Sequence, residues 1–295
     1  MPKKRITDAL RTGRILVSDG AWGTFLHKKG LQSGQCPEQW CVSHYDEVVG
    51  IAKSYIDAGA NMVQSNSFGG TCFKLKHYGL ADKVSELNEA AAKASRAAAG
   101  DECWVIASVG PTGQMLVTED VTEDELYNAF KDQVTALERG GADALCIETM
   151  SAVDEAALAI KAAKDNTKLE VICTFTFEKG VRGEYRTMMG VSPADAARAS
   201  IEAGADIVGT NCGNGIERMV EIVREIKSAV PDAFVLVHAN AGLPRIVDGM
   251  SVFPESPDDM ALLVPGLIEA GANIIGGCCG TTPEHIAAIK SALPV

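Results

Sequence analysis

The sequence has no long apolar run. Apolar residues make up 46% of its 295 residues, yet none of the runs approaches the roughly 20 residues that a membrane-spanning helix requires. The N-terminal residues also lack the apolar segment of a secretory signal peptide. The sequence therefore predicts a soluble protein without a membrane partner.

Positive charge is scarce. Lys and Arg number 27 against 39 Asp and Glu, which gives a formal net charge of −12. The basic residues are scattered, whereas a nucleic-acid-binding surface needs them clustered on one face. We expect no nucleic-acid partner and no binding to an anionic membrane.

The chain lacks the even cysteine count of a disulfide framework, and no Pro- or Ser-rich linker divides it. Its nine cysteines are mostly single residues within apolar runs, as in reduced cytoplasmic proteins. We therefore predict a cytoplasmic location and one domain over residues 1–295.

Four segments of the chain repeat one plan. Each has a Gly where a helix ends, then a minimal turn, a short apolar strand and polar residues after the strand. The segments are Ala58–Asn66, Gly140–Glu148, Ala203–Asn211 and Ala270–Cys278. Four more strands are predicted at 14–18, 103–108, 170–176 and 233–238. Helical stretches separate the strands, among them Thr122–Arg139, which begins with a capping box.

Eight strand–helix units in series predict parallel strands joined by crossover helices. We interpret them as a closed (β/α)8 TIM barrel, with a doubly wound sheet as the alternative. Active sites in such barrels form at the C-terminal ends of the strands. Long connections at 22–42, 68–80 and 243–257 follow strands one, two and seven, where functional loops are expected.

Three cysteines fall at neighbouring strand ends. Cys278 and Cys279 stand between glycines after the last strand, and Cys212 follows strand six. Adjacent residues of a strand point to opposite faces, so the two neighbouring thiols cannot both be packing residues. Strands six and eight flank strand seven, so the three thiols are expected to converge. Three thiols favour zinc, and a fourth position left open is typical of a catalytic site.

Other interpretations stay open at this point. Gly276-Gly277 before a helix is also compatible with a phosphate site. Cys36, Cys41 and His44 could hold a second metal, but they lack the spacing of a zinc knuckle, so a loop is favoured. His238 at the end of strand seven is expected to be a core histidine.

Two acids and one turn suggest the ligand. Asp19 and Glu148, at the ends of strands one and four, are predicted to bind a cationic group. The backbone N–H groups of residues 20–24 suit a carboxylate. Together with a metal for a thiol, these groups predict an amino-acid thiol, and alkyl transfer to its sulfur is the simplest reaction that follows.

Seven motifs point to a known family. They are Asp19–Thr24, Ser65–Phe68, Gly110-Pro111, Ile147–Thr149, Gly209–Cys212, Asn240–Pro244 and Gly276–His285. Through them essentially the whole chain resembles the homocysteine S-methyltransferase family, and most closely the homocysteine-binding module of cobalamin-dependent methionine synthase. The resemblance implies a methyltransferase of methionine biosynthesis.

The resemblance also implies the metal site. Cys212, Cys278 and Cys279 would be the zinc ligands and the catalytic residues of a (β/α)8 barrel. Asn240 would lie near or on the metal. Homocysteine would bind through its thiol, as a zinc thiolate.

For the rest of the substrate the resemblance implies four residues. Asp19 and Glu148 would lie near the amino group of homocysteine, and the amides of Gly23 and Thr24 near its carboxylate. Gln64 departs from the family pattern, because relatives often have an acid there. Trp22 is bulkier than the usual residue, which bears on the size of the pocket.

The methyl donor is expected from outside the chain. The sequence contains no folate- or cobalamin-binding module, and we expect a separate methyl-corrinoid protein as the donor. Residues 182–190 after strand five have no general family role, and we expect them to contact the donor or partner.

Two other functions are compatible with the sequence. The chain could be the methyltransferase component of a corrinoid-dependent demethylation pathway, acting on another methylated substrate or thiol. It could also be a non-catalytic metal- or thiol-binding module, which a site with four protein ligands would favour.

Overall fold

Eight parallel strands form the centre of the molecule. The structure, a computed structural model, describes residues 5–247 and 250–294. The strands are β1 (Leu16–Val17), β2 (Met62–Gln64), β3 (Trp104–Val109), β4 (Ala144–Met150), β5 (Glu170–Phe175), β6 (Ile207–Asn211), β7 (Phe234–Ala239) and β8 (Ile274–Gly277).

Twelve α-helices lie within the described residues. They are α1 (Ile6–Leu10), α2 (Gly23–Lys29), α3 (Trp40–Ser43), α4 (Tyr45–Asp57), α5 (Cys72–Lys76), α6 (Val84–Ala99), α7 (Glu123–Arg139), α8 (Val153–Asn166), α9 (Pro193–Ala203), α10 (Ile216–Ala229), α11 (Pro257–Ala270) and α12 (Pro283–Ser291). None of them has both the length and the apolar composition needed to cross a membrane. Short 3-10 turns occur at Ala81–Lys83 and Leu116–Thr118.

The strand order is that of a barrel. Each strand from β2 to β7 pairs in parallel with the next strand along the chain, and β8 pairs in parallel with β1. At the remaining seam the N–H of Asn61 donates to the carbonyl of Val17 at 2.8 Å. A doubly wound sheet would not have this sequential order. The prediction of a (β/α)8 barrel is therefore confirmed.

The repeated Asn or Asp pins each even-numbered strand to the strand before it. The residues are Asn61, Asp143, Asp206 and Asn273, which directly precede β2, β4, β6 and β8. Each donates its own N–H to a valine carbonyl of the preceding strand, and its side-chain oxygen accepts that valine's N–H at 2.7–2.9 Å. The valines are Val17, Val105, Val171 and Val235. The glycine of each repeat has a positive φ of 98–107°, as the predicted helix ends require.

Two apolar layers surround the strands. The helices pack on the outside of the barrel, and a smaller buried cluster fills its lower interior. In that interior cluster Ile6 and Leu10 of α1 meet residues from all eight strands. Glu170 accepts hydrogen bonds from the N–H groups of Ile6 and Thr7 at 2.6 and 3.0 Å. The helix α1 thus closes the end of the barrel opposite the C-terminal strand ends.

The long connections carry structure of their own. The connection at 22–42 contains α2 and the start of α3, and that at 68–80 contains α5. The connection at 243–257 forms an antiparallel pair, Arg245–Val247 with Met250–Val252. Residues 182–190 overlap a second such pair, Glu178–Lys179 with Tyr185–Arg186. The predicted single domain over 1–295 includes residues 1–4, 248–249 and 295, which lie outside the described residues, and it stays a prediction.

Candidate active site

The structure brings the three predicted cysteines together. Cys212 directly follows β6, and its φ of +59° is one that non-glycine residues rarely adopt. Its N–H donates to the carbonyl of His238 at 3.0 Å. Such strained backbone persists only where the surroundings hold it, and it is concentrated at functional sites.

The vicinal pair is held by the backbone of the neighbouring strand. The N–H of Cys278 donates to the carbonyl of Ala239 at 2.7 Å, and the carbonyl of Cys279 accepts from the N–H of Ala241 at 3.0 Å. The Sγ atoms of Cys212 and Cys279 are 3.9 Å apart, and all three sulfurs lie within 4.8 Å of one another. Zn–S bonds of about 2.3 Å in a tetrahedron separate the sulfurs by about 3.8 Å.

The three thiols cannot all ionise without a cation. Hydrogen bonds from the other two thiols lower the pKa of Cys212 to about 3. The hydrogen bond with Cys212 raises the pKa of Cys279 to about 12, and that of Cys278 well above its usual value. One thiolate in the cluster thus disfavours ionisation of the other two thiols, and a divalent cation would compensate their negative charge. The donor set and its spacing fit zinc, and among the described residues no other three Cys, His, Asp or Glu side chains are grouped in this way.

Packing explains the two glycines that had suggested a phosphate site. A Cβ on Gly277 would lie 2.3 Å from the Oγ1 of Thr281, and a Cβ on Gly276 would lie 2.7 Å from the carbonyl of Asp19. Thr281 itself accepts from the N–H of Ala21 at 3.0 Å and donates to the carbonyl of Cys278 at 2.7 Å. The glycines thus allow the first and last strand ends to touch, which fixes Cys278.

Glu148 is a buried carboxylate beside the cluster. Its Oε1 accepts from the side-chain amide of Gln64 at 2.7 Å and from the hydroxyl of Ser108. Its Oε2 has only a 3.3 Å hydrogen bond from Asn211. Burial, and to a smaller extent the charge of Asp19, raise the pKa of Glu148 to about 7.

Asp19 has no exposed surface. Its Oδ2 accepts from the N–H of Gln64 at 2.7 Å and from the indole of Trp22 at 2.8 Å, and its Oδ1 accepts from Ser18 at 3.2 Å. Burial raises the pKa of Asp19 to about 7. The carboxyl group closes the seam between β1 and β2 above the Asn61 contact.

A cavity of about 280 Å³ opens at this end of the barrel. This volume is near the lower limit of ligand pockets, so it suits a molecule of amino-acid size. Three groups line it together: the cysteines, Glu148 with Gln64, and residues Gly20 to Thr24. Gly23 and Thr24 form the first turn of α2, and no side chain of the described residues caps that helix.

Asp19 and Asn240 lie behind this lining. The Asn240 side chain donates a hydrogen bond that helps to lower the pKa of Cys212. Its Oδ1 is buried without a hydrogen-bond partner among the described residues. The side chain that contacts Cys212 thus has a buried oxygen that is free to accept a further contact, and the position of Asn240 near or on a metal stays a prediction.

The remaining candidates are not part of the cluster. His238 is buried, and burial lowers its pKa to about 4. Cys36 and Cys41 donate to the carboxylate of Glu38 and the carbonyl of Asn66. His44 stacks on Trp40. The described residues thus show no second metal site at this loop.

The sequence assigns no role to several residues of the cavity wall, among them Ser108, which donates to Glu148. Gln64 stands out in the sequence only as a departure from the family pattern, although it contacts both acids. The sequence also gives no signal for Glu38, which lines the cavity and accepts from the N–H of Gly69 at 2.7 Å. The change from apolar to polar residues at the end of β2 is the available signal for Gln64, whereas Glu38 lies in a segment without periodicity.

Comparison with known proteins decides the family. The sequence profile described as homocysteine S-methyltransferase matches residues 16–293. The chain belongs to the homocysteine S-methyltransferase family. Family membership confirms the predicted methyltransferase class. The chain is 31% identical to the methionine synthase of Mycobacterium leprae over 97% of its length, and 30% identical to that of Mycobacterium tuberculosis over 95%.

The chain spans about a quarter of the length of each of these two synthases. Among solved structures, the metallated form of the Escherichia coli homocysteine methyltransferase MmuM is similar, with a TM-score of 0.80 and 22% identity over 97% of this chain and 99% of that one. Its apo form gives a TM-score of 0.74, covering 96% and 98%. These two structures agree with the barrel fold found here.

Proposed function

We propose that this member of the family methylates the thiol of homocysteine in a zinc-dependent reaction. One observation carries the proposal: three cysteine sulfurs with the spacing of a zinc site form the wall of a cavity that also presents a buried carboxylate. A structural neighbour, MmuM, is known in a metallated form, which is in line with a metal bound by this fold. Bound zinc would supply a Lewis acid that keeps a thiol ligand deprotonated at neutral pH.

The cavity residues bind and orient the acceptor in this proposal. Cys212, Cys278 and Cys279 hold the metal, and the Oδ1 of Asn240 is the candidate for a further protein contact to it. Glu148 binds the amino group, because it lines the cavity and its Oε2 has only one long hydrogen bond.

The backbone N–H groups of Gly23 and Thr24 bind the acceptor's carboxylate. Asp19 lies behind the wall and would act by holding Gln64 and Trp22. The reaction forms a sulfur–carbon bond while the bond between methyl and donor breaks, and the thiol proton passes to solvent. Positioning in a small cavity supplies part of the rate.

We also propose a methyl-corrinoid carried by a separate protein as the donor. Similarity to the two methionine synthases, which are about four times as long as this chain, supports a donor bound outside the barrel. The cavity of about 280 Å³ leaves little room for a large donor beside the acceptor. Residues 182–190, with Met188 78% exposed, are the proposed contact.

Zinc analysis and calorimetry test the acceptor site. We expect one zinc per chain, and binding of L-homocysteine with release of a proton. Cys212→Ala should lose both the zinc and the binding. Zinc without homocysteine binding would favour the demethylation role instead, and a chain that never binds zinc would rule out the mechanism.

A transfer assay tests the donor. Methylcobalamin is the probe, with methionine formation measured with and without the protein. We expect methylcobalamin to be consumed in step with the methionine formed. A protein that binds homocysteine but transfers no methyl group from this probe or from a purified methyl-corrinoid protein would exclude the proposed donor.

A further inference from the structure

Gln64 is the residue that joins the two buried acids of the site. Its N–H donates to Asp19 at 2.7 Å, and its side-chain amide donates to Glu148 at 2.7 Å. The main chain makes one contact and the side chain makes the other, and the residue ends the three-residue strand β2. Gln64 therefore couples the seam of the barrel to the carboxylate on the cavity wall.

The main chain of Gln64 is fixed on both sides. Asp19 accepts its N–H, and the hydroxyl of Ser95 donates to its carbonyl at 2.8 Å. The residue is only 6% exposed. Because the main chain of Gln64 is held on both sides, the point from which its side chain extends toward Glu148 is fixed.

Glu148 depends on this amide for its orientation. Gln64 and Ser108 both donate to Oε1, whereas Oε2 has only the long hydrogen bond from Asn211. The Asn211 amide is already engaged: it donates to Thr149 at 2.7 Å and accepts from Thr174 at 2.7 Å. The donors on Oε1 thus leave Oε2 as the less satisfied oxygen of a carboxyl group that lines the cavity.

We propose that Gln64 is a positioning residue that holds the Glu148 carboxylate in place for the ammonium group of the acceptor. This inference rests on the proposed function, because it assumes an amino-acid thiol in the cavity. Gln64 also keeps the position neutral. An acid there would face the Oε1 of Glu148 and repel it, whereas the amide donates to it.

Two ligands separate this role from general support of the fold. L-homocysteine carries the amino group, and 4-mercaptobutanoate is the same molecule without it. The protein is the zinc-loaded chain, and calorimetry gives the affinity for each ligand. Gln64→Met removes the amide while keeping the backbone N–H and a similar side-chain volume. Gln64→Leu provides the same test if the Met variant is unstable.

We expect Gln64→Met to weaken homocysteine binding about tenfold or more, as for a lost hydrogen bond to a charged group. Binding of 4-mercaptobutanoate should stay close to the wild-type value. Gln133→Met is the matched control, because Gln133 is a buried glutamine whose amide donates to Ser67 and Asn88 instead. It should preserve the wild-type ratio of the two affinities.

A double-mutant cycle shows whether Gln64 acts through Glu148. Glu148→Gln should show the same selective loss, and adding Gln64→Met to it should cause no further loss. The inference would be overturned if Gln64→Met bound homocysteine as tightly as the wild type does, or if it lost the same affinity for both ligands. Additive losses in the double-mutant cycle would also overturn it. A wild-type protein that binds neither ligand would overturn the proposed function itself, and the inference with it.

Discussion

At the scale of single residues, the acids of this site are defined by burial. Asp19 and Glu148 both have a pKa raised to about 7, chiefly because the protein removes them from water. Hydrogen bonds from Gln64, Trp22 and Ser108 only partly offset that cost. The site thus holds carboxyl groups that a cationic ligand would help to ionise.

Asp19→Asn should change how stability depends on pH. The native state binds a proton at Asp19 between pH of about 4 and 7, whereas the unfolded chain does not, so Asp19 contributes a loss of stability as pH rises through this range. The asparagine variant lacks this contribution and keeps the one that comes from Glu148. The free energy of unfolding of the variant minus that of the wild type should change by up to about 4 kcal/mol between pH of about 4 and 7, or about 1.36 kcal/mol per pH unit. Urea unfolding between pH 4 and 8 measures it.

The exposed Asp101 supplies the control for that series. Asp101→Asn should follow the wild-type pH dependence. A wild type and an Asp19→Asn variant that lose stability in parallel from pH 4 to 7 would contradict a raised pKa at Asp19.

At the scale of strands and helices, the sequence predicts connectivity better than contacts. The glycines at 59, 141, 204 and 271 mark helix ends by a local conformational need, and the apolar runs after them are strands. These signals lie within a few residues of one another, and together they predict the barrel. The convergence of Cys212 with Cys278 and Cys279 then follows from strand order.

Contacts between distant segments left no such signal. The repeated Asn or Asp was visible in the sequence, but its hydrogen bonds to the preceding strand were not. Gln64 and Glu148 are 84 positions apart, and nothing local to either residue predicts their hydrogen bond. The hydrogen bond between Asp19 and Gln64, which joins β1 to β2 at the seam of the barrel, also has no local signal in the sequence.

Asn273→Ala tests the pinning of strands. The Oδ1 of Asn273 accepts the N–H of Val235 at 2.9 Å, and its loss would leave that N–H without the partner. We expect a destabilisation of about 1–3 kcal/mol in urea unfolding. The chain provides its own conservative control: Asp143 and Asp206 make the same contact, so Asn273→Asp should cost much less. Equal losses in both variants would show that the side-chain oxygen is not the cause.

At the scale of the whole molecule, the two ends of the barrel make opposite contributions to stability. The lower interior is apolar and closed by α1, so it contributes stability. The upper end has strained backbone at Cys212 and buried, partly satisfied polar groups, which cost stability. A cation bound by the cysteines would tie β6 to the end of β8 across β7, and would offset part of that cost.

Zinc removal should therefore lower the melting temperature of the entire barrel. Binding to the native state stabilises it by mass action, less any binding to unfolded cysteines. For a chain of this size each kcal/mol shifts the melting temperature by roughly 2 °C, so a strong chelator should lower it by several degrees, and added zinc should restore it.

Cys212→Ala should melt at one temperature with or without chelator. Cys72→Ser changes a cysteine outside the cluster and should respond as the wild type does. A wild-type melting temperature unaffected by the chelator, with zinc shown to be lost, would mean that the metal acts in chemistry alone and contributes nothing to the fold.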